Sequence, residues 1–198
     1  MKPKNILFAL VCILIPALVL FTACSENPIT DLDTTQPTSY SSDEINWIPW
    51  KAEYLEKLDK NALERVLVGQ WIFADFGGFV GGWYTFNNMV SIPPGALLHN
   101  TYVSVEVLQT YWNYAQTGGG VEFLPSMQFQ LPVSVSLSYA YLHYFGNPYD
   151  LAIYWTNDDG NSWYMVDDVF YNTFQQYATF QVDHFTVFAW GERAPSGE

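Results

Sequence analysis

Cysteine is almost missing from this chain. Cys12 and Cys24 are the only two, and both stand within the first 24 residues. Nothing downstream can form a disulfide, so whatever folds after Cys24 must take its stability from a packed core. Basic side chains are scarce as well: 7 Lys and Arg stand against 20 Asp and Glu, a formal charge of −13. Such a balance argues against nucleic acid or an anionic lipid surface as a partner, because both would be repelled. Three histidines, His99, His143 and His184, are far apart in sequence, and no thiol joins them. That is not the ligand spacing of a zinc site. The glycine run Gly118–Gly120 lacks the helix and lysine that a phosphate-binding loop requires. No cofactor is expected. Acids stand side by side at Asp158/Asp159 and Asp167/Asp168, and neighbours in a strand point to opposite faces. A calcium ion held by Asp158 and Asp159 through oxygen is one reading of the first pair. Solvated turn acids are the other.

The N-terminus has a basic head, Lys2 and Lys4, then an apolar stretch from Ile6 to Phe21, then small residues. That order is the order of a secretory signal peptide. The stretch is shorter than the roughly 20 residues a spanning helix needs, and Pro16 interrupts it. The run Leu20-Phe21-Thr22-Ala23-Cys24 resembles the lipobox of bacterial lipoproteins, with Phe21 the departure from its usual pattern. The resemblance implies cleavage before Cys24 and a diacylglycerol on its sulfur. Each buried methylene of such chains adds about 0.8 kcal/mol, enough for several chains to hold a protein on a membrane. In enterobacterial lipoproteins an aspartate after the cysteine marks inner-membrane retention; Ser25 stands there in this chain, so the resemblance implies the outer membrane, on its periplasmic or its surface face. Losing Lys2 and Lys4 with the signal moves the formal charge from −13 to −15.

The chain therefore divides into a signal peptide over 1–23 and a lipidated cysteine with a disordered tether over 24–42. A helical segment over 43–67, a β-sandwich over 68–191 and a tail over 192–198 follow. The tether is rich in Ser, Thr, Pro and Asp and poor in apolar residues. In the next segment Ile45, Trp47, Ile48 and Trp50 bring apolar mass. Tyr54, Leu55, Leu58, Ala62, Leu63 and Val66 then fall on one stripe at helical spacing. Glu53/Lys57 and Glu56/Lys60 are favourable pairs one turn apart. The helix packs on the domain, forms a stalk or binds a partner.

From Val68 onward aromatic and β-branched residues come in short runs separated by Gly, Pro, Asn and Asp, the composition of an all-β antiparallel sandwich. Strands are expected over 68–75, 79–86, 88–92, 101–108, 133–139, 150–156, 163–169, 176–182 and 185–190. Val103, Val105 and Val107 alternate with polar neighbours, as do Val133, Val135, Leu137 and Tyr139 with three serines. A period of two with one polar face marks a strand with one side in a core. In Ile92-Pro93-Pro94-Gly95-Ala96, proline followed by glycine predicts a type II turn. The hairpin Thr156-x-Asp158-x-Gly160-x-Ser162-Trp163 resembles the Asp-box of sialidases and other β-proteins. In that motif carboxylate and hydroxyls bond turn amides and the tryptophan packs, a folding device rather than an active site.

Several landmarks occur in a familiar order. They are Gly77-Gly78, Val90 to Ala96, Phe123-Leu124-Pro125, Phe129 to Leu137, Leu151 to Trp155 with Trp163, and His184-Phe185-Thr186-Val187-Phe188-Ala189. Over roughly residues 70–190 they resemble the ZU-five domain, the β-sandwich of zonula occludens proteins, netrin receptors and ankyrins. The resemblance implies a structural or protein-interaction module rather than a metabolic enzyme. It also implies one possible chemistry, because related domains include some that cut themselves at His-Phe-Ser. Here His184 would take the Thr186 proton and Thr186 would attack the Phe185 carbonyl. An ordinary final strand has the same signature. A third reading is glycan binding, with Tyr111, Trp112 and Tyr114 ahead of a flexible glycine run as candidate rings. A sugar needs a planar strip of exposed rings; a protein partner needs a contiguous apolar patch.

Overall fold

The computed structural model describes residues 37–54, 56, 67–111 and 117–193, all within the compact unit Pro37–Glu198. Twelve strands are present among them: β1 (Ser39–Tyr40), β2 (Leu67–Ile72), β3 (Gly78–Gly82), β4 (Asn88–Ile92), β5 (Thr101–Tyr111) and β6 (Thr117–Leu124), then β7 (Gln128–Ser138), β8 (Leu151–Thr156), β9 (Trp163–Met165), β10 (Phe170–Asn172), β11 (Tyr177–His184) and β12 (Val187–Glu192). They form a seven-stranded sheet, β1-β9-β8-β12-β6-β5-β2, and a five-stranded sheet, β10-β11-β7-β4-β3. Every pairing is antiparallel. The fold is an all-β sandwich.

Alternation in the sequence becomes the core. Val103, Val105 and Val107 of β5 and Val133, Val135 and Leu137 of β7 are all buried, with Phe123, Ile153, Phe180 and Phe188 among them. Two of the three serines of β7 keep partial contact with water, but Ser138 is buried, and its N–H donates to Asn88 Oδ1 at 2.9 Å. The turn at Pro94-Gly95 forms as expected, with Gly95 at φ 79° and the Ala96 N–H donating to the Pro93 carbonyl at 3.2 Å.

Several expectations need correction. The strand expected over 79–86 stops at Gly82, and a 3-10 turn at Trp83–Thr85 leads into Phe86 and Asn87, both left-handed. A left-handed phenylalanine is strained. It is held by packing, with its ring within 6.0 Å of those of Trp50, Tyr54 and Tyr141. The glycine run is not a flexible loop: Gly118, Gly119 and Gly120 are buried in β6, between β5 and β12. The tether ends before residue 42, because Ser39–Tyr40 pairs with Tyr164 and Trp163 of β9. Of the segment expected to be helical, Asp43 and Glu44 close a short 3-10 turn, residues 45–50 are not helical and 52–54 and 56 are, while 55 and 57–66 lie outside the described residues.

The reason for the glycine strand is the segment before it. β12 and β6 pair at Val187–Ala189 and then part. Into that gap enters the backbone of residues 46–48. Ile48 N–H donates to the Trp190 carbonyl at 2.9 Å, and Gly119 N–H donates to the Ile48 carbonyl at 2.9 Å. Three residues on, Lys51 N–H donates to the Tyr141 carbonyl and His143 N–H to the Pro49 carbonyl, in the chain just after β7. One short segment thus ties both sheets. Trp50, 1% exposed, lies flat on Gly119, where an added Cβ would sit 2.8 Å from the indole. Its Nε1–H donates to the Leu108 carbonyl at 2.7 Å. Ile45 and Trp47 meanwhile cover the outer face of the large sheet with Ala152, Tyr154, Trp163 and Ala189, a second small core.

Trp50→Ala should cost about 3–5 kcal/mol and Gly119→Ala about 1–3 kcal/mol by crowding. Denaturant unfolding of both singles and the double is the check. The double should fall well short of the sum, since removing the indole makes room for the methyl; strict additivity would mean that Trp50 does not rest on β6.

Candidate functional site

The His184-Phe185-Thr186 run sits where the chain crosses from one sheet to the other, because β11 belongs to the smaller sheet and β12 to the larger. The β6–β7 connection makes the reverse crossing beside it. Phe185 N–H donates to the Met127 carbonyl at 2.9 Å, and Ser126 Oγ donates to the Phe185 carbonyl at 3.3 Å. The Phe185 ring is buried, 5.5 Å from Phe123 and 4.6 Å from Phe129. These contacts explain the residue types without any chemistry: an aromatic to fill the crossover, and a hydroxyl at Thr186 that donates to the Thr156 carbonyl. His184 is occupied elsewhere. Its Nδ1 lies 2.6 Å from Asp183 Oδ1, and its ring meets that of Trp155 edge-on at 4.8 Å. The bond from His184 holds the Asp183 carboxyl below the usual carboxylate range. His184 Nε2 is buried without a hydrogen-bond partner. Among the described residues no hydrogen bond joins His184 to Thr186, so the arrangement does not connect a base to the hydroxyl that would attack.

The Asp158 hairpin is built as an Asp-box. Thr156 Oγ1 donates to Asp158 Oδ1 at 2.7 Å and accepts from the Gly160 N–H at 3.1 Å. The same carboxylate oxygen accepts from the Ser162 N–H at 2.9 Å, and Trp163 Nε1–H donates to the Gly160 carbonyl at 3.0 Å. Asp159 and Gly160 take positive φ and turn the chain. Asp158 therefore bonds its own loop, while Asp159 is exposed. Among the described residues no group of three or more His, Cys, Asp or Glu gathers to hold an ion.

Of the aromatic run named from sequence, Tyr111 ends β5, paired with Thr117, while Trp112 and Tyr114 lie outside the described residues, as does Cys24. Two surfaces that the sequence did not single out stand out instead. At one side of the sandwich, β2 and β3 are the edge strands of the two sheets and follow each other through a tight turn. Trp71, Phe73, Phe76, Phe79, Trp83 and Tyr84 are all exposed there, Phe76 by 79% and Trp83 by 78%. The Gln70 side chain donates to the Phe79 carbonyl across the two edges, and Tyr102 extends the patch with its ring 6.0 Å from Trp71 at 73°. At the other side a groove of about 870 Å³ opens between β8–β9 and β11. Apolar side chains line it, Trp155, Phe180 and Val182 among them, and Asp167, Asp168 and Asp183 stand at its margin. From Leu67 to Glu192 the chain has no Lys or Arg at all. The exposed rings carried no signal in sequence, because outward and inward aromatics look alike until the sheet edges are known. Comparison with protein-family models finds no match to this chain, and comparison with curated proteins finds none.

The Asp158 carboxyl is held below its usual range first by the Ser162 N–H and then by the Thr156 hydroxyl. A carboxyl lowered on folding adds stability that is full above its unfolded value, about 3.9, and is lost as pH falls through the folded value. Thermal melts on acidification below about pH 4 should show a steeper decline for the wild type than for Asp158→Asn, which has no proton to gain. Parallel declines would mean that the hairpin bonds do not favour the ionised form.

Proposed function

We propose that this protein is a lipid-anchored component of the bacterial cell envelope whose sandwich holds another protein and performs no metabolic reaction. One observation carries the reading: the exposed aromatic surface on β2, β3 and the turns beside them. Apolar patches of that kind, on otherwise polar proteins, mark interaction sites, and Trp and Tyr are the residues that dominate protein interfaces. Trp71 and Tyr102 meet at 73° rather than lying in one plane, which favours a protein surface over the flat platform a sugar ring needs. The lipobox-like run ending at Cys24 supports the anchor, and the absence of an aspartate after it supports the outer membrane. The ZU-five resemblance points the same way, toward a module that joins proteins.

Two tests address the two halves of the proposal. Cys24→Ser should abolish incorporation of labelled palmitate and move the protein from the membrane to the soluble fraction; an unchanged distribution would sink the anchor. For the aromatic edge, a photo-crosslinking residue at Phe76 should give one discrete heavier species in intact envelopes. Trp71→Ser with Trp83→Ser should remove that species while leaving the melting temperature within a few degrees, since both rings are exposed. Indole resonances of Trp71 and Trp83 that shift on adding oligosaccharides would instead favour the glycan reading.

A further inference from the structure

β11 runs for eight residues, from Tyr177 to His184. On one side β7 pairs with it along nearly its whole length, up to Val182 and again at His184. On the other side β10 is too short to do so and pairs only with Tyr177, Ala178 and Thr179. From Phe180 to His184, therefore, β11 has a strand neighbour on one side alone among the described residues. Open strand edges offer unpaired N–H and C=O groups to any extended chain, and proteins normally blunt them with charge, proline or a covering loop. This edge carries one carboxylate, Asp183, and lies beside a groove. Phe180 through His184 all line it, and the facing wall is Trp155 and Met165 of the larger sheet. Its volume, about 870 Å³, lies within the range of sites that bury a ligand.

The two faces of β11 differ in a way that sets the chemistry of an added strand. Phe180, Val182 and His184 alternate toward the interior side, and Gln181 and Asp183 are exposed on the other. A strand laid beside β11 would carry side chains in the same period of two. Those beside Val182 would enter an apolar space against Trp155. Those beside Asp183 would meet its carboxylate, with Asp167 and Asp168 close at the groove margin. Among the described residues no Lys or Arg lines the groove to neutralise these three acids. Charge also discriminates between occupants. Residues 25–36, which lead to Pro37 at the groove, contain Glu26, Asp31 and Asp33 and no base. A second copy of the sandwich is acidic for the same reason. Both would bring like charges together, which is destabilising across paired strands.

We propose that the open half of β11 and the groove beside it receive an extended basic segment of a partner protein as an added strand, with apolar and basic residues alternating. The main-chain bonds would supply affinity and the alternating side chains selectivity, as in other strand-addition complexes. At about 3.3 Å per residue, the open edge accommodates a core of five residues. This surface lies apart from the aromatic edge, and the two can succeed or fail separately: the crosslink at Phe76 does not depend on the groove.

The probe is a fluorescein-labelled heptapeptide alternating lysine and valine, titrated into the full chain in neutral detergent and read by anisotropy. Saturable binding is expected, and the glutamate–valine counterpart should not bind. Asp167→Asn with Asp168→Asn, at exposed positions, should weaken the lysine–valine peptide by about fivefold, the effect of two exposed ion pairs. The decisive arm leaves the protein untouched. Successive residues of a strand direct their N–H groups to opposite sides, so methylating the lysine amides and methylating the valine amides should have unequal effects. One set should weaken binding by at least tenfold and the other by at most twofold to threefold. Absence of saturation, equal binding of the glutamate peptide, or equal loss from both methylated sets would each overturn the proposal.

Discussion

The backbone of residues 46–48 lies in the gap where β6 and β12 separate, bonded to Trp190 on one side and Gly119 on the other. Residues 49–51 then bond to the chain after β7, in the opposite layer. A sandwich without disulfides has only side-chain packing to keep its two layers in register. Here a short stretch of main chain adds a direct link, and Trp50 closes the end of the core above it. The cost is paid in side chains: Gly119 and Gly191 must stay bare because Trp50 and Ile45 fill the space where their Cβ atoms would stand. The segment also covers the outer face of β8, β9 and β12, so that part of the large sheet is buried on both sides.

Residues conspicuous in sequence turn out to serve the scaffold. His184-Phe185-Thr186 is a sheet-to-sheet crossover whose hydroxyl bonds the Thr156 carbonyl, and the same threonine's hydroxyl organises the Asp158 hairpin. The two motifs are thus adjoining parts of one joint between β8, β12 and the β11–β12 crossover. What remains for interaction is the two sides of the sandwich where the sheets do not close on each other. One carries rings on β2 and β3, the other a groove bordered by acids. The sandwich from Leu67 to Glu192 has no Lys or Arg, so its apolar surfaces and open strand edge suit a neutral partner, and its carboxylates attract a basic one.

Much of this fold is legible residue by residue. The valines of β5 and β7, the Pro94-Gly95 turn and the Asp-box are local in origin: period-two burial, a fixed proline φ beside a permissive glycine, and a carboxylate within reach of its own turn amides. The difficulty begins where a residue's meaning depends on a distant one. Gly118–Gly120 has no strand propensity and reads as a loop, yet it is a buried strand, with an indole from residue 50 filling the space beside Gly119. Phe86 follows the early end of β3 in a left-handed conformation it would avoid alone, held there by rings from two distant stretches, Trp50 with Tyr54 and Tyr141.

The sequence by itself determined the class of structure, the faces of its main strands and the folding hairpin, since each follows from neighbours along the chain. Only the tertiary structure decided which aromatics point outward, which stretch of β11 stays unpaired, and how Thr186 and His184 are engaged. Those outcomes depend on strand order and on the length of the neighbouring strand. Both are settled by long-range packing, on which a residue's immediate neighbours have no bearing.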